Sequence, residues 1–274
     1  MATIMEKFSL VGRTALVTGG AGLLGRQFTL ALGEAGAKVV VADLDAEAAQ
    51  AHAQTLMATG ITALAVGVDV TDVESVSEMV QRTVAEFGSL DVIVNSAALD
   101  PKFDPENLSS QSANAFETYP LDNWKQAIDV NLTGMFLTCQ AAARQMLQQN
   151  YGVMINICST YGLVGPDQRL YEHSDGPQQY KPVYYSVSKA GVLGLTRYLA
   201  TYYAGKPIRV NALTPGGVYN QHDEAFLRAY SARTVMGRMA QPDELSGAVV
   251  FLASEASSYM TGANLIVDGG WTAW

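Results

Sequence analysis

The sequence predicts an α/β fold: one domain, residues 1–274, built on a doubly wound parallel sheet of about seven strands with helices on both faces. Three observations carry that prediction. Short β-branched runs alternate with stretches of helical spacing along the chain. Most of the runs are apolar nearly throughout, which suits strands covered on both faces. The first run leads into a glycine-rich turn, and the second ends on an acid.

The elements follow in order. "TALVT" (14–18) is the first strand, and "TGGAGLLG" (18–25) after it opens a helix. Glycines let a backbone approach a pyrophosphate, and a helix N-terminus offers free N–H groups. Gly19, Gly22, Leu23, Leu24 and Gly25 are therefore candidate cofactor contacts, although tight strand–helix packing would use the same glycines. The second strand, "KVVVAD" (38–43), ends at Asp43, 18 positions past Gly25. That is near the spacing at which an acid holds the ribose hydroxyls of NAD. A carboxylate there would repel the 2′-phosphate of NADP, so NAD is the expected cofactor, and Arg26 is read as an exposed helix residue. "DAEAAQAHAQTLMATG" is a helix stopped by its glycine. "TALAVGVDV" (62–70) is the third strand, and "DVESVSEMVQRTVAEFG" a helix with an Asp start and a Gly stop. "DVIVNSA" (91–97), "GVMINICS" (152–159), "IRVNALTP" (208–215) and "NLIVDGG" (264–270) complete the set, with long helices expected around 120–149 and 180–204. Ligands of such sheets sit at the carboxyl ends of the strands, so the residues after each run are the ones to inspect.

Composition narrows the partners. A net charge of −9 argues against nucleic acid and anionic membrane surfaces. No apolar run is long enough to cross a bilayer. The opening "MATIMEKFSLVGR" lacks the pattern of a secretory signal, so a cytoplasmic protein is expected. Cys139 and Cys158 make neither a disulfide framework nor a metal cluster; both read as small buried hydrophobes, and no metal is expected.

"YKPVYYSVSKAGVLG" (180–194) holds three tyrosines and two lysines in its first ten residues. Tyr185 stands four residues before Lys189, so on a helix the two share a face. Ser159 ends the fifth run, and Asn131 lies in "DVNLTG". With these the chain resembles the short-chain dehydrogenase/reductase family over nearly its whole length. Thr18, Gly19 and Gly25 match the family turn T-G-x-x-x-G-x-G; Leu23 replaces its middle glycine, and Gly22 comes one place early. Asp69 and Val70 stand at the family's adenine-contacting pair. "NSAA" (95–98) replaces N-N-A-G, keeping Asn95 and Ala97. "PGGV" (215–218) matches the loop that meets the nicotinamide carboxamide, which adds Pro215, Gly216 and Val218. "VDGGW" (267–271) closes the last strand as in many members.

The resemblance implies a Rossmann-type fold, an NAD-linked oxidoreductase and a catalytic set of Asn131, Ser159, Tyr185 and Lys189. Hydride leaves a carbinol carbon only as the hydroxyl proton departs. A phenol of ordinary pKa ~10 is a poor base at neutral pH, and moving it toward 7 takes about 4 kcal/mol of nearby positive charge. Lys189 and oxidised nicotinamide can each contribute. Ser159 would hold the reacting oxygen against Tyr185. By resemblance, Tyr185 and Lys189 also touch the cofactor, Lys189 through its ribose, and Asn131 supports a proton-relaying water.

Ser159 precedes Tyr185 by 26 positions and Asn95 precedes Asn131 by 36, both longer than the family habit. The additions, near 99–120 and 165–182, follow strands and should overhang the reactive end of the cofactor. They carry Lys102, Asp104, Asp167, Arg169, Glu172 and His173, which suits a polar, sugar-like or charged small-molecule substrate; solvated surface loops would read the same. Tyr161, Arg169 and His173 are the candidate substrate contacts. "STYGLVGPDQRLYE" and the C-terminal stretch resemble the branch tied to flagellin-modification and nonulosonic-acid sugars. Gluconate 5-dehydrogenase-like and 3-oxoacyl-carrier reductase branches share the framework. A sugar-nucleotide epimerase or dehydratase, a non-catalytic cofactor-binding regulator and an assembly subunit are the readings from other classes. The family habit and the small and apolar residues on several faces of "SVSKAGVLGLTRYLATYYA" lead to the expectation of a homotetramer or homodimer.

Overall fold

The structure is a computed structural model that describes residues 2–100, 114–171 and 178–274. Seven parallel strands form one sheet in the order β3-β2-β1-β4-β5-β6-β7. Their ranges are β1 Thr14–Thr18, β2 Lys38–Asp43, β3 Ala63–Gly67, β4 Val92–Asn95, β5 Gly152–Ile157, β6 Ile208–Pro215 and β7 Asn264–Val267. The expected doubly wound α/β fold is the observed one.

Several strands end before the apolar runs do, each for a local reason. Beyond β3, the Asp69 N–H turns to the Ser75 hydroxyl and the Asp69 carboxylate accepts from Thr71, which bends the chain toward its next helix. Beyond β4, the N–H groups of Ser96 and Ala97 both donate to the Thr18 hydroxyl, at 3.2 and 3.3 Å, and so leave the ladder. Beyond β7, Gly269 and Gly270 turn the chain at φ +64° and +83°.

Side chains alternate across the sheet and so feed two cores. Leu16, Val40, Ile93, Met154 and Val210 face one layer. Ala15, Val17, Val39, Val92 and Ile155 face the other. Helix α1 (Ile4–Phe8) lies at the N-terminus. Helices α2 (Leu23–Glu34) and α3 (Ala46–Ala58) bury Phe28, Leu32 and Leu56 in the second layer. Complete burial of a side chain such as Phe28 contributes about 2–3 kcal/mol. Helix α4 (Val73–Phe87) starts on the carboxylate of Asp72 and stops at Gly88 with φ +88°, as its sequence predicted.

The helix expected around 120–149 is three pieces: α5 (Leu121–Ile128), a π-helical turn (Asp129–Thr133) and α6 (Gly134–Gln149). The turn carries Asn131, and such turns often sit at functional sites. The helix expected at 180–204 is α7 (Val183–Tyr202). Pro182 is its N-cap, because a proline fixes φ and restrains the residue before it to extended backbone. Helices α8 (Glu224–Ser231) and α9 (Ser246–Ala253) complete the layers.

Candidate active site

β1 is flanked by β2 on one side and β4 on the other, so the strand order reverses there and a crevice opens at the carboxyl ends. The glycine-rich turn lies at this point. Gly19 takes φ +64°, and a Cβ on Gly25 would lie 2.0 Å from the Gly19 carbonyl oxygen. Only glycine lets helix and turn approach this closely. Gly22 is the N-cap of α2 and offers no side chain to its free N–H groups, which leaves the N–H groups of Leu23 and Leu24 at the first turn to meet an anion. Asp43 at the end of β2 accepts from the Ala21 N–H at 3.0 Å, which sets its carboxylate beside the turn. Arg26 is exposed, and its Nε donates to the Ala21 carbonyl at 2.7 Å.

The remaining cofactor candidates line the same edge, and they differ in what they present. The two Thr71 hydrogen bonds hold the Asp69 carboxyl below its ordinary range. Val70 packs on Gly134, where a Cβ would come within 2.8 Å of its Cγ2. Asn95 turns its carboxamide inward: Nδ2 donates to Asn156 Oδ1 at 2.8 Å, and Oδ1 accepts from Thr138 at 2.7 Å. Ala97 abuts Gly19, Pro215 ends β6 and Gly216 follows it. A Cβ on Gly216 would lie 2.7 Å from Asp268 Cα, and Val218 bridges to Ala240. The steric cradle at Gly19–Gly25, the free helix terminus and the acid after β2 together fit a dinucleotide. Among the described residues no group of His, Cys, Asp and Glu could hold a metal ion, and no helix is long and apolar enough to cross a membrane.

Three of the four expected catalytic residues meet beyond β5. Ser159 follows the strand, its hydroxyl accepting from the Tyr161 N–H at 3.2 Å and lying close enough to the Tyr185 phenol to act on it. Lys189 is buried one helical turn along α7, and its Nζ donates to the Ile157 carbonyl at 2.9 Å. Its ammonium lies 5.9 Å from the Tyr185 ring centroid. Burial, then the negative charge of Asp100, pushes the Tyr185 phenol well above its ordinary value, and Ser159 pulls the other way. Burial depresses Lys189. Asn131 sits one layer back. Its Oδ1 accepts from the Leu99 N–H at 2.6 Å, and its Nδ2 donates to the Leu99 carbonyl and to the Ser188 hydroxyl.

Tyr184, the neighbour of Tyr185, points elsewhere. Its ring packs against Tyr119 at 6.0 Å and lines a cavity of about 270 Å³ with Asp100, Asn123 and Gln126.

Of the expected substrate contacts, Tyr161 meets the site, edge-on to Tyr185 at 6.5 Å. Its hydroxyl accepts from Tyr171, and its ring meets Trp271. Arg169 is largely exposed and holds Asp167 through two 2.8 Å contacts. Arg233 binds the same carboxylate, and these partners hold Asp167 far below the usual carboxylate range, Arg169 contributing most. His173, Glu172, Lys102 and Asp104 lie outside the described residues.

Sequence reasoning missed three residues. Lys181 is buried, and its ammonium stands 4.1 Å from the Tyr185 ring centroid, nearer than that of Lys189. It pairs with Asp100 at 2.5 Å. Lys181 had a signal: it stands four residues before Tyr185, as Lys189 stands four after. Asp100 had none. The sequence also failed to single out Tyr230, whose ring stacks on Trp271 at 4.3 Å and whose hydroxyl accepts from the Gly217 N–H, tying the 215–218 loop to the aromatic wall.

Known proteins resemble this chain over nearly its whole length. A family model described as enoyl-(acyl carrier protein) reductase matches residues 20–272. The chain is 39% identical to cis-4-hydroxycyclohexanecarboxylate dehydrogenase of Sinomonas cyclohexanicum, covering 95% of this chain and 97% of that one. The structure of a short-chain type dehydrogenase/reductase from Mycobacterium marinum superposes with a TM-score of 0.86 at 34% identity, covering all of both chains. A gluconate 5-dehydrogenase from Burkholderia cenocepacia J2315, solved with NADP and tartrate, gives a TM-score of 0.86 at 31% identity over 99% of this chain and all of that one.

Proposed function

Because the chain belongs to the short-chain dehydrogenase/reductase family, whose members act on CH–OH groups, we propose that Tyr185 is the proton-exchanging group of a secondary-alcohol dehydrogenase. The observation that carries this reading is the convergence of Ser159 and Tyr185 at the end of β5, with the buried ammonium of Lys189 one turn away. A bound nicotinamide would supply the hydride acceptor. Ser159 holds the reacting oxygen in line with the phenol, whose oxygen takes the hydroxyl proton. Lys189 offsets the charge that develops on Tyr185 and offers its remaining N–H groups to a ribose. Asn131 fixes the Leu99 backbone and Ser188 beside Lys189, so its part is to hold the shape of the site.

NAD rather than NADP is the cofactor we propose, on the ground that a carboxylate at the end of β2, beside the glycine turn, would repel a 2′-phosphate. The relatives point to hydroxylated rings and chains bearing a carboxylate. That class, rather than the sugars of flagellin modification, is the substrate we propose, and Tyr161 is its aromatic contact. The exposed Phe136 and Leu147 on α6 and Val187, Tyr198 and Tyr202 on α7 support a homotetramer or homodimer, which light scattering reads directly.

The test is a panel of polyols, hydroxy acids and cyclic alcohols assayed for NADH formation by the parent and by Tyr185→Phe. The phenol-to-phenyl change should lower turnover by about 10²-fold or more and leave NAD binding intact. A variant that turned over at the parent rate would refute the assignment of Tyr185.

A further inference from the structure

We propose that Lys181 and Asp100 form an ion pair that sets the pH at which Tyr185 exchanges its proton: Lys181 is a second cation held against the phenol ring, and Asp100 is the counter-charge that limits its effect. The proposal rests on the reading of Tyr185 given above and makes both residues positioning residues acting through it.

The placement of Lys181 is built. It precedes Pro182, which holds its backbone extended. Gln168 then clamps both of its backbone groups: the carboxamide oxygen accepts from the Lys181 N–H at 2.8 Å, and the carboxamide nitrogen donates to the Lys181 carbonyl at 3.3 Å. The side chain is 9% exposed, and its ammonium lies over the Tyr185 ring. A lysine free to choose would keep its ammonium in water. Asp100 is placed just as firmly from the other side, because the residue before it is gripped at N–H and carbonyl by Asn131 from the π turn. Its carboxylate is half exposed, so the pair has one end in solvent and the other on the phenol.

Every element packed on Tyr185 bears on its ionisation. Lys189 comes from its own helix, Cys158 and Ser159 from the end of β5, Tyr161 and Tyr171 from the loop beyond, and Asp100 from the end of β4. His222, in the segment after β6, feels both Asp100 and Lys181, and burial first holds its imidazole toward the neutral form. The cationic side chains facing the ring are Lys181 and Lys189, and the acidic one is Asp100. A cation beside the ring favours phenolate, and an anion favours phenol. Removing Lys181 therefore raises the phenol's pKa, and removing Asp100 lowers it. A packing role predicts no such opposition of sign.

The experiment is the pH profile of kcat/KM for alcohol oxidation at saturating NAD in four proteins: the parent, Lys181→Met, Asp100→Asn and the two changes together. The acid limb should move up by about one pH unit in Lys181→Met and down by about as much in Asp100→Asn. It should return close to the parent in the combined variant, and Lys181→Arg should stay close to the parent. A second readout needs no turnover. Nuclear magnetic resonance of tyrosine labelled at Cζ, with the Tyr185 signal assigned by its loss in Tyr185→Phe, follows the phenol itself in the same proteins. Opposite shifts of that signal support the pair even if Tyr185→Phe keeps its turnover, an outcome that would overturn only the catalytic reading. Should both single variants shift the same way, or neither shift, the pair is packing alone and the proposal fails.

Discussion

The turn after β1 and the loops above Tyr185 both build a site at the carboxyl edge of one sheet, and they do so by opposite means. At the turn, backbone meets backbone. Gly25 stacks on the Gly19 carbonyl, Gly20 donates to Ala42, and Asp43 is the carboxylate beside them. Above Tyr185, side chains reach across and between loops: Asp100 to Lys181, Gln168 to the Lys181 backbone, Asp167 to Arg233, Tyr171 to Tyr161. The first arrangement tolerates almost no change of residue. The second is a set of pairs, each adjustable without moving the sheet. A family with one kind of cofactor and many substrates needs this division.

The comparison can be broken most directly at the turn. Gly25→Ala drives a Cβ to 2.0 Å from a carbonyl oxygen, and backbone cannot yield as a side-chain tip can. We expect the fold to lose about 3 kcal/mol or more, read by denaturant unfolding, and cofactor affinity to fall with it. Gly165→Ala, in the loops, adds a Cβ that meets nothing within 4 Å, and both quantities should hold. Equal tolerance at the two glycines would dissolve the contrast.

A smaller effect is expected at the carboxylate beside the turn. Asp43→Ser should narrow the preference for NAD by about tenfold, mainly by weakening NAD, since a charge-assisted hydrogen bond contributes about 1.5–3 kcal/mol. Isothermal titration with each cofactor measures it. Tighter binding of NADPH than NADH by the parent would remove Asp43 from its role.

The smallest effect belongs to the loops. Asp167 has a depressed carboxyl in the folded chain, so its stabilising contribution is complete above the unfolded carboxyl pKa and is lost as pH falls through the folded value. Asp167→Asn should lower the melting temperature slightly at neutral pH, by no more than a partly exposed ion pair supplies, about 1 kcal/mol or less. The difference from the parent should shrink in strong acid. A gap that stayed constant with pH would mean that the charge is not what binds the loop.

This contrast also explains what could be read from the chain. Order of elements, strand runs, the caps at Asp72 and Gly88, and the turn at 18–25 were legible because each is written in consecutive residues. Tyr185 and Lys189 were legible for the same reason. Lys181 was half legible: its spacing from Tyr185 was on display, but that spacing acquires meaning only when Gln168 and Pro182 fix the backbone outside the helix. Asp100 was not legible, since nothing in "SAALDP" says that Asn131 will grip Leu99. The π turn was hidden too, because "DVNLTG" sits inside a run of ordinary helical spacing.

That turn marks where chain length becomes a constraint. The Gly134 N–H reaches back five residues to Asp129, so one residue more than an ordinary helix requires is stored between α5 and α6. Each residue of a helix turns the following ones by about 100°. A deletion within 129–133 would be absorbed by closing the turn to ordinary helix, whereas one between Gly134 and Thr138 would rotate the rest of α6 about its axis and swing Thr138 and Cys139 away from Asn95. Substitutions in α6 act on single contacts, whereas a codon lost from its first turn would dephase a whole wall of the interior. Homologues that vary freely in length between Ser159 and Tyr185 should hold the count from Gly134 to Asn156 fixed.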